Sequence, residues 1–127
     1  MWTLKSFTNP EGKTIVGLWY AAQSEGVKTA FRTRMKFLIP LGEDGWDRPQ
    51  VGQLRHGDCK GLYEIVLKVN KVQHRPIGYF SGKMEFTFLA FATERDNTFD
   101  PPNVCTTAKQ RLELIRKDNN RVREFRI

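Results

Sequence analysis

The stretch from Leu62 to Thr93 constrains the fold most, because it carries strand periodicity from end to end. In Leu62 to Val69, the side chains of Tyr63, Ile65, Leu67 and Val69 fall on one side and those of Glu64, Val66 and Lys68 on the other, since successive strand residues point oppositely. This spacing predicts one half-buried strand. Asn70-Lys71 follows; asparagine tolerates the positive φ of a two-residue hairpin turn, and Val72 to Phe80 is the expected return strand. Ser81-Gly82 predicts a second turn, and Glu85 to Thr93 (EFTFLAFAT) is a nearly continuous apolar run suited to a central strand. The sum is an antiparallel meander.

The segments on either side of the meander are mostly helical in pattern. Trp2 to Thr8 alternates as a short first strand would, and Asn9-Pro10-Glu11-Gly12 supplies turn chemistry. From Lys13 onward Ile15, Leu18, Trp19 and Ala22 take helical spacing, in a helix expected to end before Gly26. Val27, Ala30, Phe31, Met35 and Leu38 repeat it, with Ser24 as the expected cap and Pro40 as the end. Leu41 to Gln53 is rich in Gly, Asp and Pro and reads as an ordered loop pinned by Trp46. After Asp100, Pro101 and Pro102 open a helix whose face carries Val104, Ala108, Leu112 and Ile115 and which finishes near Asp118-Asn119-Asn120. The basic tail RVREFRI reads as a final strand or as a flexible arm. The expected fold class is α+β in a single domain over residues 1–127: an N-terminal strand and helical hairpin packed on the meander, with a C-terminal helix.

Charge points outward to an anionic partner. Lys plus Arg number 21 against 14 Asp plus Glu, a formal net charge of +7, and cations held near phosphates gain Coulomb energy and release counterions. Nucleic acid is one such partner; an acidic protein or a merely solvated basic surface is the alternative. A hydrophobic fraction of 39% with 12% aromatics excludes a disordered chain. No run approaches the roughly 18 apolar residues of a membrane span, and MWTLKSFTNPEGK lacks a secretory pattern, so no membrane partner and a cytoplasmic location are expected. Cys59 and Cys105 stand far apart and outside any C-x-x-C pattern, which suits unpaired thiols in a reducing compartment, a disulfide being the alternative. His56-x-x-Cys59 falls short of a zinc ligand set, so no metal is expected. Lys28, Arg32 and Lys36 form a stripe on the second helix that reads as a solvated face.

Particular words on this frame resemble the RelE/ParE superfamily of toxins, in its phage-derived HigB-like branch. They are Gly61-Leu62-Tyr63-Glu64-Ile65 with Lys68, then His74-Arg75 and Tyr79-Phe80, then Phe86 to Ala92, Glu94-Arg95, Pro101 and Ala108-Lys109-Gln110-Arg111. They span about residues 54–116, and the N-terminal half matches only in pattern. The chain departs where many relatives place a His on the third meander strand and a Lys-Lys pair after it; here stand Leu89-Ala90-Phe91-Ala92 and Glu94-Arg95.

The resemblance implies a type II toxin-antitoxin toxin that cuts mRNA on the ribosome without a metal or other cofactor and so inhibits translation. It implies the ribosome, its mRNA and a cognate antitoxin protein as partners, a helix-turn-helix protein being one candidate for the antitoxin. The reaction is attack of the ribose 2′-hydroxyl on the adjacent phosphate, which needs a base, a cation at the phosphorus and an acid for the leaving oxygen. Arg75 is the expected phosphate clamp, Lys68 the second cation, His74 the acid or base, and Tyr79 a stacking platform that shares strand parity with Arg75. Parity sets His74 on the opposite side from Arg75, so His74 reads either as catalytic through a bulge or edge twist or as a surface or packed histidine. Glu64 reads as pairing with Lys68 rather than accepting a proton. Lys60, Arg55, Lys71 and Arg95 are expected to steer RNA by charge. Two other functions fit the same sequence: a non-catalytic, ParE-like inhibitor of DNA gyrase, or a non-toxic phage-encoded binding module.

Overall fold

A computed structural model describes residues 1–127. Strand β1 (Thr3–Phe7) leads into helices α1 (Ile15–Ala21) and α2 (Glu25–Leu38); β2 (Val51–Gln53), β3 (Tyr63–Ile65), β4 (Leu67–Val69), β5 (Val72–Gly82), β6 (Glu85–Arg95) and β7 (Thr98–Asp100) follow, then α3 (Val104–Lys117) and β8 (Val122–Glu124). The class is α+β. The strands form one sheet in the order β2-β3-β5-β6-β1-β8, with β4 also pairing β5 and β7 also pairing β6. All pairs are antiparallel except β1 with β6.

Both helices of the N-terminal hairpin are capped: Thr14 Oγ1 accepts from the Gly17 amide at 3.3 Å and Ser24 Oγ from the Val27 amide at 3.3 Å. Val27, Phe31, Met35 and Leu38 of α2 bury against Leu4, Ile65, Leu67, Phe86 and Phe88 on one sheet face. On the other face Val104, Ala108, Leu112 and Ile115 of α3 meet Ile77, Leu89, Ala90 and Ala92. The sheet is thus packed on both sides. Adjacent Phe88 and Leu89 serve opposite cores, and the register shift between Ile77↔Ala90 and Gly78↔Phe88 leaves Leu89 as the extra residue of a bulge. Gly78 is required there, because a Cβ would lie 2.1 Å from the Thr87 carbonyl oxygen.

Several expectations need correction. Leu62 to Val69 is two strands, because the Val66 amide donates to the Gln50 carbonyl at 2.9 Å and its carbonyl accepts from Arg34 Nε at 3.2 Å, taking this residue out of the ladder. The second meander turn falls at Lys83-Met84, past Ser81-Gly82, with Met84 at φ 51°. The loop from Leu41 contains the short strand β2, while Trp46 does pin it, donating to the Leu38 carbonyl at 2.9 Å and stacking on Trp2. The tail is a strand, β8, on the outer edge of β1. Cys59 and Cys105 form a disulfide that ties the turn at Gly57–Cys59 to the first turn of α3. With no free thiols, the cysteines give no sign of a reducing compartment. No helix is long and apolar enough to cross a membrane.

Candidate functional site

Cross-strand partners share a face, so the register sorts the expected residues. Lys68 pairs with Gln73 and Gln73 with Glu94; Glu64 pairs with Ile77, and Arg75 with Ala92. All lie on the α3 side of the sheet, but only Ile77 and Ala92 reach the apolar core beneath that helix. The polar members gather at the end of this face where the turns Asn70-Lys71 and Asp96-Asn97 close their hairpins. Lys68 and Lys71 are exposed there, while Arg95, next to Glu94 on β6, projects from the opposite face; at the hairpin ends Lys71 and Arg95 line a recess with Gln73, Thr93 and Glu94.

Arg75 is the largest revision. Its residue is only 7% exposed, and its guanidinium is committed within the protein. NH1 donates to the His74 carbonyl at 3.0 Å and the Leu67 carbonyl at 3.5 Å, NH2 donates to Gln73 Oε1 at 3.0 Å and Glu94 Oε1 at 3.1 Å, and Nε faces Glu64 Oε1 at 3.3 Å. Its donors are buried against these oxygens, and none is open to a phosphate. Arg75 instead positions two carboxylates.

Glu64 is the group that sequence reading undervalued. It pairs not with Lys68 but with Arg75 and, through Oε2 at 3.5 Å, with Arg48 from the loop before β2. It is 5% exposed. Burial pushes its carboxyl above the usual range, the Glu94 charge adds to this, and Arg75 and Arg48 pull it part of the way back. Glu64 Oε1 and Arg75 Nε are buried without a hydrogen-bond partner, so that contact holds by charge rather than alignment. The signal available in sequence was a lone carboxylate within an apolar strand. Arg48 gave none, lying in a Gly, Asp and Pro-rich loop.

The remaining expected residues disperse. His74 pairs with Leu67 and Thr93 on the opposite, α2 side; burial and then the Arg75 charge hold its pKa below the ordinary value, so it is neutral at pH 7. No bulge returns it to the Arg75 side. Tyr79 shares the Arg75 face, as parity requires, but packs half-buried into the α3 core, where burial raises its pKa and keeps the phenol protonated. It offers no stacking platform. Lys60 and Arg55 are exposed on the segment between β2 and β3, and the Lys60 carbonyl accepts from Lys109 Nζ of α3 at 2.6 Å. The α2 stripe is largely occupied: Lys28 pairs with Glu25 at 3.6 Å, and Arg32 bonds the Tyr20 hydroxyl.

The open end of the face therefore holds a buried carboxylate with a raised pKa between two guanidinium groups, one enclosed and one exposed, with Lys68 and Lys71 on its rim and Arg95 at the hairpin end behind it. A carboxylate whose pKa is raised by burial is a stronger base than a free one, and an exposed guanidinium offers a forked donor to an oxyanion. Comparison with known protein families, curated proteins and solved structures finds no match.

Proposed function

We propose that this chain is an RNA-directed toxin domain of the RelE/ParE kind, resembling the HigB-like branch, that cleaves ribosome-bound mRNA by 2′-hydroxyl attack. The observation that supports this reading most is Glu64, buried with a raised pKa beside Arg75 and Arg48 at the uncovered end of a basic sheet face. Glu64 takes the proton of the 2′-hydroxyl as that oxygen bonds to phosphorus, the bond from phosphorus to the 5′-oxygen breaks to leave a 2′,3′-cyclic phosphate, and solvent water protonates the leaving 5′-oxygen. Arg75 holds Glu64 in place, a positioning role rather than the phosphate contact first assigned to it. Lys68, Lys71 and Arg95 attract the RNA backbone. A cognate antitoxin would silence the protein by covering this rim.

A second reading, binding without catalysis, is favoured by one observation: His74 does not reach the open end, since it faces the other side of the sheet. One experiment separates the two. The protein is expressed from an inducible promoter and mRNA 5′ ends are mapped; codon-phased cuts that Glu64→Gln reduces at least about a hundredfold support the nuclease, as loss of a general base would. Growth arrest with intact mRNA and altered supercoiling supports a gyrase inhibitor instead. An absent growth effect supports the non-toxic binding module.

A further inference from the structure

We infer that Arg48 is the phosphate-gripping residue of this face, parked on Glu64 in the free protein and handed to an RNA phosphodiester when the ligand arrives. The inference rests on the RNA-directed reading above and gives Arg48 the role that sequence pattern assigned to Arg75. The two guanidinium groups flank one carboxylate but differ in freedom. Arg75 is enclosed, and every one of its nitrogens faces a protein oxygen. The Arg48 side chain is 60% exposed and has one ionic partner, Glu64 Oε2 at 3.5 Å. That distance is long for a charge-assisted hydrogen bond, which leaves a contact a doubly hydrogen-bonded phosphate would outcompete.

The way Arg48 reaches Glu64 is itself built. Its guanidinium crosses directly over Gly52, the cross-strand partner of Glu64, where an added Cβ would lie 2.3 Å from Cζ and 2.4 and 2.5 Å from the terminal nitrogens. Any other residue at 52 would fill this cradle. Gly52 has no positive φ, so the backbone does not demand glycine; what the missing side chain provides is room for the guanidinium. The arrangement also holds the cation beside the carboxylate that takes the 2′-hydroxyl proton. Transfer of Arg48 to phosphate removes one of the two charges that lower the Glu64 pKa, so binding makes Glu64 a stronger base.

The test uses the whole protein and a fluorescein-labelled single-stranded oligoribonucleotide, 2′-O-methylated so that it cannot be cut, with affinity read by anisotropy across a salt titration. Arg48→Ala is expected to weaken binding about tenfold and to reduce the salt slope by about 0.7, the value for one phosphate on a single strand. Gly52→Ala keeps the arginine but displaces its flexible guanidinium from Glu64, and by releasing the pair is expected to tighten binding. Glu64→Gln frees Arg48 and is expected to tighten binding about threefold. Thermal midpoints near the parent's for Gly52→Ala show that the fold is intact. Parent-like affinity and salt slope in both Arg48→Ala and Gly52→Ala would overturn the role of Arg48 while leaving the RNA reading in place. A parent protein that binds no oligoribonucleotide at any salt overturns the RNA reading, and this inference with it.

Discussion

Ile77 and Arg75 stand two residues apart on β5 and point to the same face of the sheet, yet they meet different surroundings. Ile77 is enclosed with Leu89 and Ala90 beneath the apolar face of α3. Arg75 lies just beyond it and is enclosed by Gln73, Glu64 and Glu94. Strand alternation decides which face a side chain takes, but only the element above decides what that face is for. At the covered end, apolar burial and a disulfide hold the fold. At the open end, paired charges hold a carboxylate and leave cations on the rim. Buried ion pairs gain little net stability over apolar packing, so folding energy alone does not explain the network at the open end.

The largest expected break in that comparison is at the covered end. Replacing both cysteines, Cys59→Ala with Cys105→Ala, removes a link across a sequence separation of 46 residues and is expected to cost about 4 kcal/mol, read as a lower urea midpoint. Cleavage or RNA binding at the open end is expected to survive at temperatures where the variant is folded. Next is Arg75→Ala, expected to cost about 3 kcal/mol because it leaves Glu64 and Glu94 facing each other without their shared cation. A cost under about 0.5 kcal/mol by the same measurement would mean that Arg75 is not the hub of the network.

The smallest effect concerns pH. The folded pKa of Glu64 lies above its ordinary value of 4.5, so the folded state holds this proton more tightly than the unfolded chain. Its contribution to stability is full below the unfolded value and is lost as pH rises through the raised folded one. Glu64→Gln has no proton to lose there. The parent is therefore expected to lose stability relative to Glu64→Gln as pH rises through this window, measured as the difference between their urea midpoints. A difference that stays constant with pH would contradict the raised pKa.

Much of the scaffold was legible in the sequence, and the reasons are local. Helix faces at Val27, Phe31, Met35 and Leu38 and at Val104, Ala108, Leu112 and Ile115 are all buried as their spacing implied. Asn70 and Lys71 take φ of 50° and 69°, the turn that the asparagine announced. Alternation through Tyr63, Glu64, Ile65 and Leu67 holds even though the strand is broken at Val66. What escaped is nonlocal. Strands β2 and β7 are three residues each and owe their existence to the neighbours they pair with. The disulfide joins segments that only the docking of α3 brings together. The candidate site was half legible: alternation placed Lys68, Arg75 and Tyr79 on one face, but Arg75 looked free because parity cannot reveal that Glu64, Gln73 and Glu94 enclose it. Glu64 seemed to pair along its own strand with Lys68, whereas its partners come from β5 and from a loop.

The comparison between the two ends is tested most directly by nuclear magnetic resonance, following backbone amide shifts as a short single-stranded oligoribonucleotide is added. Shifts concentrated at Gly52, Glu64, Lys68, Lys71, Gln73 and Arg95, with the amides of α3 from Ala108 to Ile115 unmoved, are the expected result. Shifts confined to α3, or to β8 with its basic tail, would contradict the assignment of function to the open end of the sheet.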